Sequence, residues 1–330
     1  MSSYLKLIRY PNLIFIAFIQ FVMHFFVILP ILQKFNFSFA DALQIGMPLL
    51  LIIATVFIAA GGYVLNDYFD IKIDLINKPE KQIIGNTIQR KNAMVFYQIL
   101  TCIGVSCGLI LAFLSQSFTL AFIFIVTPGL LWFYSASYKR QFVIGNLIVA
   151  FIAALTILIV GISQIAFLEK EFGKFIFETP IPKQILSWIS GFAFFSFLTT
   201  WIREIIKDIE DEKGDREMEC RTLPIKLGHT KTKLLLFGLI ILTVILLFII
   251  NNLFIQFEGT FTLRYIIFGI ALPFFALSYL IFKAKTPADF HDASTLSKVI
   301  MLVGVLYGFI FYYLQAKTFG ISFFDTFILK

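Results

Sequence analysis

From end to end, this chain repeats uninterrupted apolar runs of about 18 residues or more, each long enough to cross a hydrocarbon core of roughly 30 Å. Inside lipid no water meets the backbone N–H and C=O groups, so a spanning segment must be a helix or a strand of a closed barrel. Barrel strands alternate apolar and polar residues. These runs do not alternate, which selects helices. Composition agrees, with 59% apolar residues, 14% charged residues and a mean hydropathy of +0.90. The expected fold is all-α, a polytopic membrane helical bundle forming a single domain over 1–330. Nine spans are expected, near 12–33, 43–66, 92–114, 117–135, 142–166, 185–204, 233–252, 263–282 and 297–315. Residues 1–11 are short and polar, so the first run reads as a retained span rather than a cleaved signal.

The net charge of +7 raises the question of nucleic acid, but the placement of the basic residues answers it. The N-terminal segment and the loops after spans two, four, six and eight hold 20 of the 27 lysines and arginines. The opposite loops hold the remaining 7. Cytoplasmic loops carry the basic excess in membrane proteins. The expectation is therefore an integral protein of the cytoplasmic membrane with no nucleic-acid partner. Its N-terminus and even-numbered loops face the cytoplasm and its C-terminus faces outward. Cys102, Cys107 and Cys220 lack metal-ligand spacing, which argues against a zinc site.

Acidic residues are more concentrated still. Twelve of 20 fall within 67–80 and 204–219, two segments that follow the second and sixth spans. Four spans separate them, which suggests related halves, 1–141 and 142–298, followed by a ninth helix. Each segment contains D-x-x-D-x-x-x-D, as Asp67, Asp70 and Asp74, and again as Asp208, Asp211 and Asp215. Residues three and four apart share a helix face, so each triad should project as an acidic stripe. Like charges at that spacing repel by roughly 0.2–0.5 kcal/mol per pair in water. Removing one charge, as in Asp70→Asn, is thus expected to raise stability slightly without metal.

Such a stripe beside a bilayer calls for a cation. Mg2+ suits it, being a hard ion held by carboxylates, water and substrate phosphates. Two stripes facing each other across a bundle would hold metal ions that clamp a diphosphate, with nearby lysines and arginines on the remaining phosphate oxygens. A plainer reading makes the charges solvated markers of the membrane boundary. Their repeated spacing at equivalent positions argues against it. A transporter is the alternative of another class, since intramembrane carboxylates often mark ion pathways. Here the carboxylates gather at one membrane face, whereas a conduction path needs polar groups at several depths.

Asn66-Asp67-x-x-Asp70-x-x-x-Asp74 followed by Asn77-x-Pro79 resembles the first motif of the UbiA family of intramembrane prenyltransferases. Asp211-x-x-x-Asp215, with Asp208 just before it, resembles the second. Arg9, Pro11 and Asn12, Tyr134-Ser135 and Lys139-Arg140 extend the likeness over nearly the whole chain. Lys81-Gln82 departs from it, where many members have Arg-Pro. The resemblance implies nine helices around a central cavity and transfer of a prenyl chain from a polyprenyl diphosphate donor to a lipid-soluble acceptor among membrane lipids. It implies metal at Asp70, Asp74, Asp211 and Asp215, assisted by Asp67 and Asp208. Asn66 would orient a carboxylate or bind metal-bound water. Lys139, Arg140, Arg203, Lys207 and Arg221 are candidates for phosphate. The stretch from Arg203 to Asp215, with Arg221-Thr222-Leu223-Pro224, most resembles members that add a geranylgeranyl group to geranylgeranylglyceryl phosphate, making an ether lipid precursor. The alternative is an aromatic acceptor, as for quinone, haem or chlorophyll-type products.

Overall fold

Nine helices long and apolar enough to span a membrane lie among the described residues. The computed structural model describes residues 3–37, 41–77, 79–255, 257, 259–323 and 327–328. In chain order the spans are Tyr10–Lys34, Gly46–Asn77, Arg90–Leu114, Phe118–Ala136, Ile144–Glu178, Ile181–Glu210, His229–Phe254, Phe261–Lys283 and Pro287–Phe319. Large apolar side chains point outward, among them Phe113 and Phe118 at 82% and 85% exposed. A soluble protein would hide such residues; here lipid is their solvent.

Four spans run well past the limits set by hydropathy, because charge ends an apolar window without ending a helix. The fifth continues through Glu169, Lys170 and Glu171 to Phe172 and then in 3-10 turns to Glu178. The second continues through Asp67, Asp70 and Asp74 to Asn77, and the sixth continues to Glu210. The ninth starts at Pro287, ten residues before its apolar core. A capping box accounts for that start: Asp289 N donates to Thr286 Oγ1 at 3.3 Å, and Thr286 N donates to Asp289 Oδ2 at 2.8 Å.

Two spans contain π-helical turns, Met23–Ile28 and Ile266–Ala271, each closely followed by a proline, Pro30 or Pro273. A proline has no N–H to donate, and its ring crowds the carbonyl four residues back. The widened turn is where that strain is absorbed.

The chain forms two compact units. One comprises Met1–His24, Phe37–Lys139 and Thr156–Ile189; the other comprises Phe25–Asn36, Arg140–Leu155 and Ser190–Lys330. In the first unit the second span packs along the third, and contacts with the first and fourth spans flank that pair. Glycines permit the close approach. A methyl on Gly104 would lie 2.8 Å from Ile58 N and 2.9 Å from Ala54 O, while Gly108 receives the ring of Phe124. Small residues four apart let membrane helices pack backbone to backbone. A core of Leu7, Leu13, Ala60, Val64, Ile84, Ile88, Ala93 and Leu100 underlies the end of the second span.

In the second unit, the eighth span packs on the seventh and the ninth. Ile202, Ile205, Ile206 and Ile209 join Leu236, Phe274, Leu277 and Phe290 in its core. That packing holds the last turns of the sixth span, which carry the second acidic segment.

Candidate active site

In the first unit the helix of the second span is unbroken through its acidic triad. Asp70 is bonded at both oxygens. Asn66 Nδ2 donates to Oδ2 at 2.8 Å, and the Lys139 ammonium forms an ion pair with Oδ1. Lys139 lies in the single 3-10 turn Tyr138–Arg140 that follows the fourth span. Its side chain and that of Asp70 are only 11% and 14% exposed, so little water screens the pair.

Arg9 meets the same helix one turn earlier, with Nη2 2.6 Å from Asp67 Oδ1 and its guanidinium over the ring of Tyr63. Arg9 adopts a left-handed backbone conformation, φ 51° and ψ 52°, at the start of the first span. Burial works against its charge. The charge of Asp67 outweighs burial, with help from Tyr63, the Asp67 hydrogen bond and Asp74, and raises the guanidinium pKa. The structure therefore brings Asn66, Asp67, Asp70 and Lys139 together. The side chain of Lys81 lies outside the described residues.

In the second unit the acidic triad sits on a broken helix. The sixth span ends at Glu210, and a short helix, Glu212–Glu217, resumes after Asp211. Helical bonding still crosses the break: Asp211 N donates to Lys207 O at 2.9 Å and Asp215 N to Asp211 O at 3.2 Å. The single continuous stripe expected here is thus bent at its middle carboxylate. Asn146 Nδ2 donates to Asp208 Oδ2 at 2.9 Å. Glu204 accepts from Arg203 Nη1 at 2.8 Å and from Lys207 Nζ at 3.2 Å, neutralising part of that basic pair.

The residues beside Asp211 are each held by a histidine. His291 Nδ1 lies 3.0 Å from Glu210 Oε1, and His229 pairs with Glu212, which also accepts from Arg216 at 2.5 Å. Burial would raise the carboxyl pKa of Glu212, but its bonds to Arg216 and His229 prevail and lower it. Arg221 is exposed, and its backbone N donates to Arg140 O at 2.8 Å. The Nε atoms of Arg140 and Arg203 are buried without a hydrogen-bond partner among the described residues. A buried unpaired donor is costly, by about 1–3 kcal/mol, unless something accepts from it.

Oxygen-only donors in two acidic sets are the chemistry a hard divalent cation takes. Among the described residues, no group of three or more His, Cys, Asp or Glu side chains is gathered as a metal site. In the first unit Arg9 and Lys139 pair with two of the carboxylates, Asp67 and Asp70. Sequence reasoning gave Arg9, Asn146 and Glu204 no role in the site. Arg9 carried a signal in its place just before Pro11, and Asn146 as an amide opening an apolar run.

The sequence matches the UbiA prenyltransferase family over residues 27–302. The chain belongs to this family. UbiA relatives include digeranylgeranylglyceryl phosphate synthase of Methanosphaera stadtmanae, 33% identical over 75% of this chain and 82% of that one. The synthase of Saccharolobus solfataricus is 29% identical over 93% of this chain and 95% of that one. A solved structure described as digeranylgeranylglyceryl phosphate synthase in membranes matches with a TM-score of 0.62 and 27% identity, over 94% of this chain and 97% of that one. A UbiA homologue from Archaeoglobus fulgidus bound to DMAPP and Mg2+ shares the fold, with a TM-score of 0.56 and 15% identity over 95% and 100% of the two chains. As a UbiA protein with nine apolar spans among its described residues, this chain is an integral membrane prenyltransferase.

Proposed function

We propose that this chain transfers a geranylgeranyl group from its diphosphate to the glycerol hydroxyl of geranylgeranylglyceryl phosphate. The observation that carries the reading is the match to the S. solfataricus synthase, which runs through nearly the whole of both chains. Asp67, Asp70 and Asp74, with Asp208, Asp211 and Asp215, would hold Mg2+. Mg2+, when bound, neutralises charge on the departing diphosphate and so favours cleavage of the allylic C–O bond. Asn66 and Asn146 fix the orientation of Asp70 and Asp208 through the bonds described above.

The buried, unpaired Nε groups of Arg140 and Arg203 support a role in binding phosphate, alongside Lys139, Lys207 and Arg221. The allylic C–O bond breaks with its electron pair leaving on the diphosphate, the acceptor oxygen then bonds to the allylic carbon, and the hydroxyl proton passes to the released diphosphate. A glycerol hydroxyl is a weak nucleophile, so holding its phosphate in place contributes more than its reactivity. Apolar surroundings keep water from the allylic cation.

The acidic segments face the cytoplasm in this proposal, supported by the 20-to-7 split of basic residues. With the native cysteines replaced, a cysteine at the exposed position Lys213 should react with an impermeant reagent from the cytoplasmic side only. The decisive assay offers purified protein geranylgeranyl diphosphate and a panel of acceptors, with product identified by mass. Product from geranylgeranylglyceryl phosphate, and sharply less from its dephosphorylated form, is expected. Product from a hydroxybenzoate or dihydroxynaphthoate, with none from the glycerol phosphate ether, would move the assignment to aromatic prenylation.

A further inference from the structure

Both oxygens of Asp70 have partners from the protein itself. Lys139 occupies one of its oxygens and Asn66 the other, and both members of the ion pair are largely buried. Asp67, one turn away, is held by Arg9. A carboxylate oxygen has two lone pairs, so these bonds alone do not bar a metal. The charge does: a dication approaching Asp70 meets an ammonium group in a poorly screened site. We propose that Lys139 is a resident counter-cation that competes with the divalent metal for Asp70 and is released toward the donor diphosphate when metal binds.

This inference rests on the assignment of Asp70 to metal made above. It adds a sign and a coupling. If Lys139 holds Asp70 only when metal is absent and meets diphosphate only when metal is present, metal and donor favour each other's binding. By linkage that favour is reciprocal. The short turn after the fourth span suits the exchange, since a lysine on a flexible four-carbon stem can swing between two anions without moving its backbone. The result is a first acidic cluster that resists metal until there is diphosphate to share. A purely structural salt bridge predicts the opposite sign, because removing it would let Asp70 lose its orientation and would weaken metal binding.

The test is Mn2+ binding to the full-length detergent-solubilised chain, without donor or acceptor, read from the EPR signal of free Mn2+. The variants are Lys139→Met, Lys139→Arg and Asp70→Asn. A neighbouring charge moves a carboxylate's proton affinity by about tenfold or more, so Lys139→Met should tighten Mn2+ at least about tenfold. Lys139→Arg should stay near wild type, and Asp70→Asn should bind more weakly. Lys139→Gln carries the same expectation should the methionine variant fail to fold. Weakened binding by Asp70→Asn together with unchanged or weaker binding by Lys139→Met would overturn this inference and leave the metal assignment standing. Equal affinity in wild type and Asp70→Asn would overturn the metal assignment itself, and this inference with it.

Discussion

Replacing Asp70 by Asn removes one negative charge from a stripe of three, and the stripe alone suggests relief. The structure reverses that sign. Asp70 is the partner of a lysine that is 11% exposed, so the substitution leaves an ammonium group in a site with little water. Breaking a buried pair by removing one partner costs about 3–5 kcal/mol. Asparagine keeps an oxygen acceptor for Lys139, which places Asp70→Asn near the lower end, at about 3 kcal/mol. Repulsion relieved along the helix returns only a few tenths of a kcal/mol per pair. Thermal unfolding in detergent with chelator should therefore show Asp70→Asn melting several degrees below wild type. Lys139→Met should fall by a comparable amount. The double variant should lose less than the sum, with a coupling of roughly 1–3 kcal/mol. A melting temperature for Asp70→Asn at or above wild type in metal-free buffer would refute this account and restore repulsion as the dominant effect.

Activity should fall to a small fraction of wild type in Asp211→Asn and Asp215→Asn, with the protein still folded. Chelator should abolish wild-type turnover and added Mg2+ restore it; near-normal turnover in either variant would remove that carboxylate from the metal set. Gly104→Ala should destabilise by about 1–3 kcal/mol, because the new methyl meets the backbone of the second span, which cannot turn aside. Gly129→Ala, with open space around it, should stay within about 1 kcal/mol of wild type in the same melting assay. Glu212 titrates in the folded chain below its ordinary value of 4.5, burial being outweighed by its bonds to Arg216 and His229. Its contribution is complete above that value and is lost as pH falls through the lower folded one. Melting temperatures taken from pH 6 down to pH 3 should drop less steeply in Glu212→Gln than in wild type, and parallel curves would refute the assignment.

Much of this protein is legible in one dimension because lipid imposes a simple rule. Backbone groups without water demand helices, so apolar length alone locates the nine spans found among the described residues. The two D-x-x-D-x-x-x-D segments are legible for a related reason: helical spacing turns a sequence pattern into a face. Hydropathy misplaced the ends of the second, fifth, sixth and ninth spans, since it reads charge as a boundary. A helix continues through Asp74 and begins at Pro287, behind its Thr286 cap, wherever local hydrogen bonds support it. The break at Asp211 carries no glycine or proline at its own position to announce it.

Partners across long stretches of chain were not legible at all. Lys139 reaches Asp70 across 69 residues, Arg9 reaches Asp67 across 58, and Asn146 reaches Asp208 across 62. Nothing local in the sequence distinguishes a lysine that anchors a membrane boundary from one that neutralises a buried carboxylate. That difference decides the sign of Asp70→Asn, and packing alone sets it. Residue types and local spacing determined the fold class, the family likeness and the candidate metal donors, because those follow from solvent and helix period. Only the tertiary structure decided which cation sits on which carboxylate, because Coulomb energy depends on distance and burial rather than on order along the chain.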